Sequence, residues 1–117
     1  IQYAINYPKR KNTVIDKLDF YNVACLTFEK PDMDTFKCLK LAYKAGKMDG
    51  NMPAIMNAAN EVAVELFLAK KIKYLIIQDI IENCMNKFEH NINPNLEEIL
   101  EIDLKVREYV RNNYGGV

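Results

Sequence analysis

Residues 52–69 read MPAIMNAANEVAVELFLA, and this stretch decides the fold of the chain. At about 100° per residue, its apolar side chains cover one broad face of a helix, and Val64 and Leu68 continue them onto the far side. Only Glu61 and Glu65 have an obvious route to water. A helix that is apolar nearly all round is packed on several sides, so we expect its neighbours to bury this one.

Two carboxamides, those of Asn57 and Asn60, stand inside this apolar run. A buried carboxamide without a hydrogen-bond partner costs roughly 1–3 kcal/mol. We therefore expect both side chains to be hydrogen-bonded to a neighbouring segment.

The stretch before this helix also has helical periodicity. It begins at Asp32, where Asp32 or Asp34 can cap a helix, and Gly46 and Gly50 mark its end. Its apolar positions are Phe36, Leu39, Leu41 and Tyr43. The sequence therefore predicts a first long helix that ends shortly before Asn51.

Cap, proline and lysine residues mark the ends of the helix of residues 52–69. Asn51 is the expected cap of the helix of residues 52–69, Pro53 suits its first turn, and Lys70 and Lys71 close it. A third helix follows, whose apolar stripe has spacings of three and four residues. The stripe consists of Ile77, Ile80, Ile81, Cys84 and Phe88.

A fourth helix is predicted after Asn93 as its cap and Pro94 just inside its start, and Asp103 can break it into two pieces. Its expected buried side consists of Leu96, Ile99, Leu100, Val106, Tyr109 and Val110. The prediction is a mainly α fold, in which residues 32–117 form a small bundle of about four helices.

Residues 1–31 differ from this pattern. Ala24, Leu26 and Phe28 alternate with less apolar residues, which is typical of a half-buried strand, and Pro31 ends the segment. We therefore expect an extended connector with a short strand before the bundle.

The composition excludes several classes of function. Sixteen basic residues balance sixteen acidic ones with no basic stripe, so neither nucleic acid nor a membrane is an expected partner. The three cysteines are odd in number and lack the close pairs of zinc sites, which favours a reducing compartment.

The sequence offers little chemistry of its own. Serine is absent, and His90, the only histidine, lies at a predicted helix end. The paired carboxylates fit helix caps and exposed faces better than a metal site, and no glycine-rich phosphate loop occurs. We therefore predict no catalytic, cofactor-binding or metal-binding residue in this chain.

An ordered set of short motifs resembles the carboxy-terminal part of the 1-deoxy-D-xylulose 5-phosphate reductoisomerase family. The motifs are Tyr7-Pro8-Lys9-Arg10, Lys17-Leu18-Asp19-Phe20, Leu26-Thr27-Phe28-Glu29-Lys30-Pro31-Asp32, Cys38-Leu39-Lys40-Leu41-Ala42 and Asn57-Ala58-Ala59-Asn60-Glu61-Val62-Ala63-Val64. Asp103 and Arg107 also match the family, so the resemblance runs through nearly the whole chain.

The resemblance implies a larger α/β enzyme. Residues 1 to about 6 would end its catalytic domain, 7–31 would form its connector, and 32–117 would form its helical domain. The implied reaction is the NADPH-dependent conversion of 1-deoxy-D-xylulose 5-phosphate to 2-C-methyl-D-erythritol 4-phosphate in non-mevalonate isoprenoid biosynthesis. NADPH and Mg²⁺ or Mn²⁺ would bind before Ile1, so this part alone would be inactive.

The resemblance also implies partners and a compartment. These are the catalytic domain of the same chain, a second copy in a homodimer and the sugar phosphate substrate. The Asn, Lys and Ile usage favours an apicomplexan plastid stroma, and the alternative is a bacterial cytoplasm.

Two alternatives stay open at this point. Asn57 and Asn60 either contact the catalytic domain or satisfy helix ends within the bundle. The chain as a whole is either this enzyme's carboxy-terminal part or a free-standing helical interaction module.

Overall fold

A computed structural model describes residues 1–12 and 15–116. These residues contain six α-helices and no strand, so the prediction of a mainly α fold is confirmed. The chain divides into two compact units, Ile1–Pro31 and Asp32–Val117. The helices are α1 (Gln2–Asn6), α2 (Phe20–Val23), α3 (Lys37–Met48), α4 (Met52–Leu68), α5 (Ile76–Lys87) and α6 (Leu96–Tyr114).

The first unit corrects the prediction of a strand. α2 ends at Val23, Ala24 has a φ of 54°, and residues 24–32 form no strand. A strand exists only where its backbone groups pair with a neighbour, and no described segment pairs with this one. Leu26 and Phe28 accordingly remain 66% and 90% exposed.

The second unit is a four-helix bundle centred on α4. This helix packs against α3, α5 and α6, and α3 also packs against α5. α4 buries seven residues and α5 five, including the predicted stripe from Ile77 to Cys84, whereas Phe88 is half-buried. The buried residues of α4 are Met52, Ile55, Ala58, Ala59, Val62, Ala63 and Leu66.

The turn from α3 to α4 is held against the loop between α5 and α6. Asp49 and Gly50 both have positive φ angles, 59° and 62°, and a Cβ atom on Gly50 would overlap the carbonyl oxygen of Asn91. Close approach of two backbones therefore requires glycine here.

Asn51 stands at the predicted N-cap position of α4, but its side chain makes no cap hydrogen bond. Its Nδ2 donates to the Glu89 carbonyl at 3.0 Å, and its Oδ1 accepts from the Asn91 N–H at 3.0 Å. The side chain is used to satisfy two backbone groups across the turn, which is why this buried polar residue carries no unpaired atom.

Two helices begin later than predicted. The Asp32 carboxylate accepts from the N–H groups of Asp34 and Thr35, each at 3.0 Å, in a turn that precedes α3. α6 is capped by Asn95 rather than Asn93, through a capping box with Glu98.

α6 differs from its prediction in two further ways. It is not divided at Asp103, because that carboxylate pairs with an arginine one turn later and leaves the backbone helical. Leu96 and Leu100 are 66% and 57% exposed, since Val106 and Val110 set the buried face and Leu100 lies roughly 100° round the helix from it.

Candidate functional site

One side of α4 is open, contrary to the expectation of burial nearly all round. Leu68 is 73% exposed, Asn57 is also exposed, and Asn60 and Val64 are half-buried. The neighbouring helices of the bundle cover the opposite faces of α4. The apolar surface of residues 52–69 is therefore larger than the surface that α3, α5 and α6 bury. This open side is the candidate functional surface of the bundle.

Among the described residues, neither of the two asparagines on this side is hydrogen-bonded to a neighbouring segment, and a partner outside these residues stays a prediction. Asn57 Nδ2 donates to Glu61 Oε1 at 3.0 Å, one turn along the same helix. Asn60 has no hydrogen-bond partner among the described residues. Neither side chain caps a helix end, which also removes the alternative that both satisfy helix ends within the bundle.

Arg107 of α6 joins this side of α4 through charged groups. Its Nη2 donates to Glu61 Oε2 at 2.7 Å. It also binds Asp103 on its own helix, through Nε to Oδ2 at 2.7 Å and Nη2 to Oδ1 at 3.1 Å. The side chains of Arg107 and Asp103 are only 23% and 29% exposed. We name Asn57, Glu61, Asp103 and Arg107 the α4–α6 clamp.

The electrostatics of the clamp favour its charged form. The hydrogen bond from Arg107, then that from Asn57, holds the pKa of Glu61 below its usual value. The hydrogen bond to Asp103, followed by that to Glu61, raises the pKa of Arg107. Glu61 and Arg107 therefore stay ionised at neutral pH, and their ion pair holds α4 and α6 together.

A second ion pair shows how these helices align. Arg111 Nη2 lies 3.3 Å from Glu65 Oε2, with both side chains more than half exposed. Residues 61 and 65 thus pair with 107 and 111, so α4 and α6 run parallel where they touch. Reasoning from the residues missed this pairing, although the matching four-residue spacing of acids and arginines was a usable signal.

A groove of about 530 Å³ opens beside Asn60, and we name it the Asn60 groove. Its rim exposes large apolar side chains, with Phe36 62%, Tyr74 69% and Leu75 64% exposed. The groove is lined by Thr35, Phe36, Lys37, Cys38, Leu39, Asn60, Val64, Tyr74, Leu75, Ile77 and Gln78. A largely apolar wall with two carboxamides, those of Asn60 and Gln78, which have no partner among the described residues, suits the binding of another protein segment.

The Cys38 thiol lines the Asn60 groove, and burial raises its pKa. Other groups with nucleophilic potential lie elsewhere. Burial raises the pKa of the Cys84 thiol to about 11, and Cys84 belongs to the core. The exposed His90 places Nε2 3.2 Å from the Asp49 carbonyl oxygen. In residues 1–12 and 15–116, no group of three His, Cys, Asp or Glu side chains could hold a metal ion, and none of the helices found there could span a membrane.

Comparisons with known proteins place the chain in a family context. The model of the family described as "DXP reductoisomerase C-terminal domain" matches residues 1–109. A 1-deoxy-D-xylulose 5-phosphate reductoisomerase of Clostridium botulinum strain Hall is 58% identical over 114 residues, which cover 97% of this chain and 30% of the relative. The chain thus spans less than a third of that relative's length.

Solved structures give the same result. The 1-deoxy-D-xylulose 5-phosphate reductoisomerase from Zymomonas mobilis in complex with NADPH matches with a TM-score of 0.84 and 35% identity, over 99% of this chain and 31% of that one. A DOX-P reductoisomerase in complex with magnesium matches with a TM-score of 0.83 and 34% identity, over 97% of this chain and 31% of that one.

Proposed function

We propose a function from one premise: this chain belongs to the DXP reductoisomerase family and forms its C-terminal domain. The complete protein converts 1-deoxy-D-xylulose 5-phosphate to 2-C-methyl-D-erythritol 4-phosphate with NADPH, in the non-mevalonate route to isoprenoids. The observation that carries this proposal is 58% identity to a reductoisomerase over nearly the whole chain.

We assign NADPH and the divalent metal ion to the part of the protein that precedes this domain. The described residues do not fit either group, since they contain neither a set of metal ligands nor a glycine-rich phosphate loop. Relatives crystallised with NADPH and with magnesium are more than three times as long as this chain. Residues 1–31 would complete the catalytic domain and connect it to the bundle of residues 32–117.

The bundle's role in this proposal is to support the catalytic domain. Its charged clamp and buried core make a rigid block, and its open side is free to contact another part of the enzyme. Rigid support behind an active site keeps reacting groups within the narrow geometry that catalysis requires.

The compartment proposed here is the bacterial cytoplasm rather than a plastid. The relatives at 57–58% identity come from Clostridium botulinum and Clostridium kluyveri, which are bacteria. The Asn, Lys and Ile usage that favoured an apicomplexan plastid reflects AT-rich coding, which does not distinguish a plastid from a bacterium. Homodimerisation is part of the proposal through the family resemblance, and light scattering of the complete protein tests it.

The test is an assay of the complete polypeptide that carries these residues. We expect NADPH oxidation that depends on both 1-deoxy-D-xylulose 5-phosphate and Mg²⁺ or Mn²⁺, and no turnover by residues 1–117 alone. A complete polypeptide that binds the sugar phosphate without oxidising NADPH would contradict the proposal. An intact mass near 13.6 kDa for the natural protein would instead favour a free-standing helical module.

A further inference from the structure

We propose that the Asn60 groove is the docking site for the catalytic part of the same polypeptide, which precedes residue 1. This inference rests on the proposed function and names the surface through which the bundle acts. The occupant would present apolar side chains and exposed peptide groups.

The chemistry of the groove supports such an occupant. Tyr74, Leu75 and Phe36 each leave more than 60% of their surface exposed at its rim. Three large apolar side chains around one groove form a patch that soluble proteins usually cover. The carboxamides of Asn60 and Gln78 each add an NH2 donor group and an acceptor oxygen that no described residue uses, and peptide groups offer the complementary acceptors and donors.

The position of the groove along the chain fits the same occupant. The polypeptide enters the bundle at Asp32, and the lining of the groove begins at Thr35. Thr35 lies 34 residues after Ile1, so the part of the polypeptide before residue 1 is covalently tethered to the bundle. Tethering raises the effective concentration of a binding partner to about the millimolar range.

The first unit also lacks a cover for its apolar side chains. Ile5, Tyr21 and Phe28 are 78%, 96% and 90% exposed. Both units therefore present apolar surface that the described residues leave open. One large partner preceding residue 1 would cover both, and the relatives' greater length supplies such a partner.

A second copy of the chain is a weaker occupant. A stable complex between separate molecules uses about 20–30 residues on each side, whereas eleven residues line this groove. A tethered partner has no such requirement, because much of its loss of translational freedom has already occurred.

The experiment measures thiol labelling in the complete polypeptide. Leu75→Cys places a thiol at the groove, and Leu104→Cys is the matched control on α6, since the two leucines are 64% and 61% exposed. Maleimide labelling at each site is followed by peptide mass mapping, which separates these thiols from the native cysteines. Each rate is compared with the rate of the same variant unfolded in urea.

We expect Leu75→Cys to label at least about tenfold more slowly in the native enzyme than in urea, as protection by a packed partner requires. Tyr74→Cys places a thiol at a second position of the rim, and we expect the same degree of protection there. Protection below tenfold at both rim sites would overturn the proposal, and so would protection that is lost on dilution, because a second copy would then cover the groove.

Turnover measured on the same samples separates the two proposals. An active enzyme with an unprotected groove refutes only the docking site. An enzyme that never oxidises NADPH with the sugar phosphate refutes the proposed function, whatever the labelling shows.

Discussion

Arg107 makes three short hydrogen bonds to two carboxylates in the α4–α6 clamp. We predict that Arg107→Ala lowers the free energy of unfolding by about 1–3 kcal/mol, because it leaves a partly buried Asp103 without its charged partner. Arg111→Ala is the control, and its exposed pair at 3.3 Å should contribute less than about 1 kcal/mol. Urea unfolding measures both, and equal losses would show that the clamp has no special role.

The acid dependence of stability follows from the same clamp. Glu61 has a folded-state pKa below its usual 4.5, owing first to the hydrogen bond from Arg107. A depressed carboxyl pKa adds stability that is complete above the unfolded value and is lost as the pH falls through the folded value. We therefore predict that the difference in unfolding free energy between wild type and Glu61→Gln is constant from neutral pH to about 4.5 and then shrinks. Denaturant titrations across this range measure it, and a difference that persists throughout the acid range would be inconsistent with the pairing.

At the scale of elements, two glycines of the α3–α4 region should respond in opposite directions. Gly50 has a φ of 62° and faces the backbone of Asn91, so Gly50→Ala combines strain with overlap and should cost more than about 2 kcal/mol. Gly46 is exposed within α3 with open space beside it, so Gly46→Ala should stabilise the chain by about 0.5–1 kcal/mol. Thermal unfolding of the two variants measures the sign, and two changes of the same sign would contradict the turn geometry.

The helices of the bundle could be predicted because the spacing of their apolar residues shows which face of each helix is buried. The stripe from Ile77 to Cys84 and the Pro53 helix start are examples. The strand was wrong because alternation over residues 23–28 also fits an extended segment without a partner. The contacts of Asn51 were predicted wrongly. An asparagine at this position can either cap the helix or bind the backbone of a distant loop, and the sequence does not distinguish the two.

The candidate surface was harder to predict for a related reason. An apolar sequence indicates that a side chain needs cover, but it does not indicate which part of a protein supplies it. Leu68, Leu96 and Leu100 were expected to be buried and are exposed in this chain. The motif around Asn60 marks the helix that carries the candidate groove, but the groove itself forms only when folding brings residues 35–39 and 74–78 together.

At the scale of the whole molecule, the three cysteines differ in how deeply they are buried. Cys25 is exposed, Cys38 is half-buried, and Cys84 is buried with its pKa raised to about 11. Because the thiolate is the reactive form, we predict that a maleimide labels Cys25 rapidly and Cys84 only when the bundle opens. Mass spectrometry of timed samples measures each site, with the urea-unfolded chain as the control. Rapid native labelling of Cys84 would mean that the core is looser than this fold implies.

The parallel pairing of α4 with α6 has a consequence for biosynthesis. Val106 and Val110 of α6 complete a core centred on α4, and the midpoint of α4 lies more than forty residues earlier in the chain. Contacts of such sequence separation form slowly and cannot form before both partners exist. The bundle therefore closes only after residue 110 has left the ribosome, later than the segments synthesised before it can begin to fold. Until then the apolar faces of α4 and α5 are exposed to solvent, and we expect a chaperone to bind them during that interval.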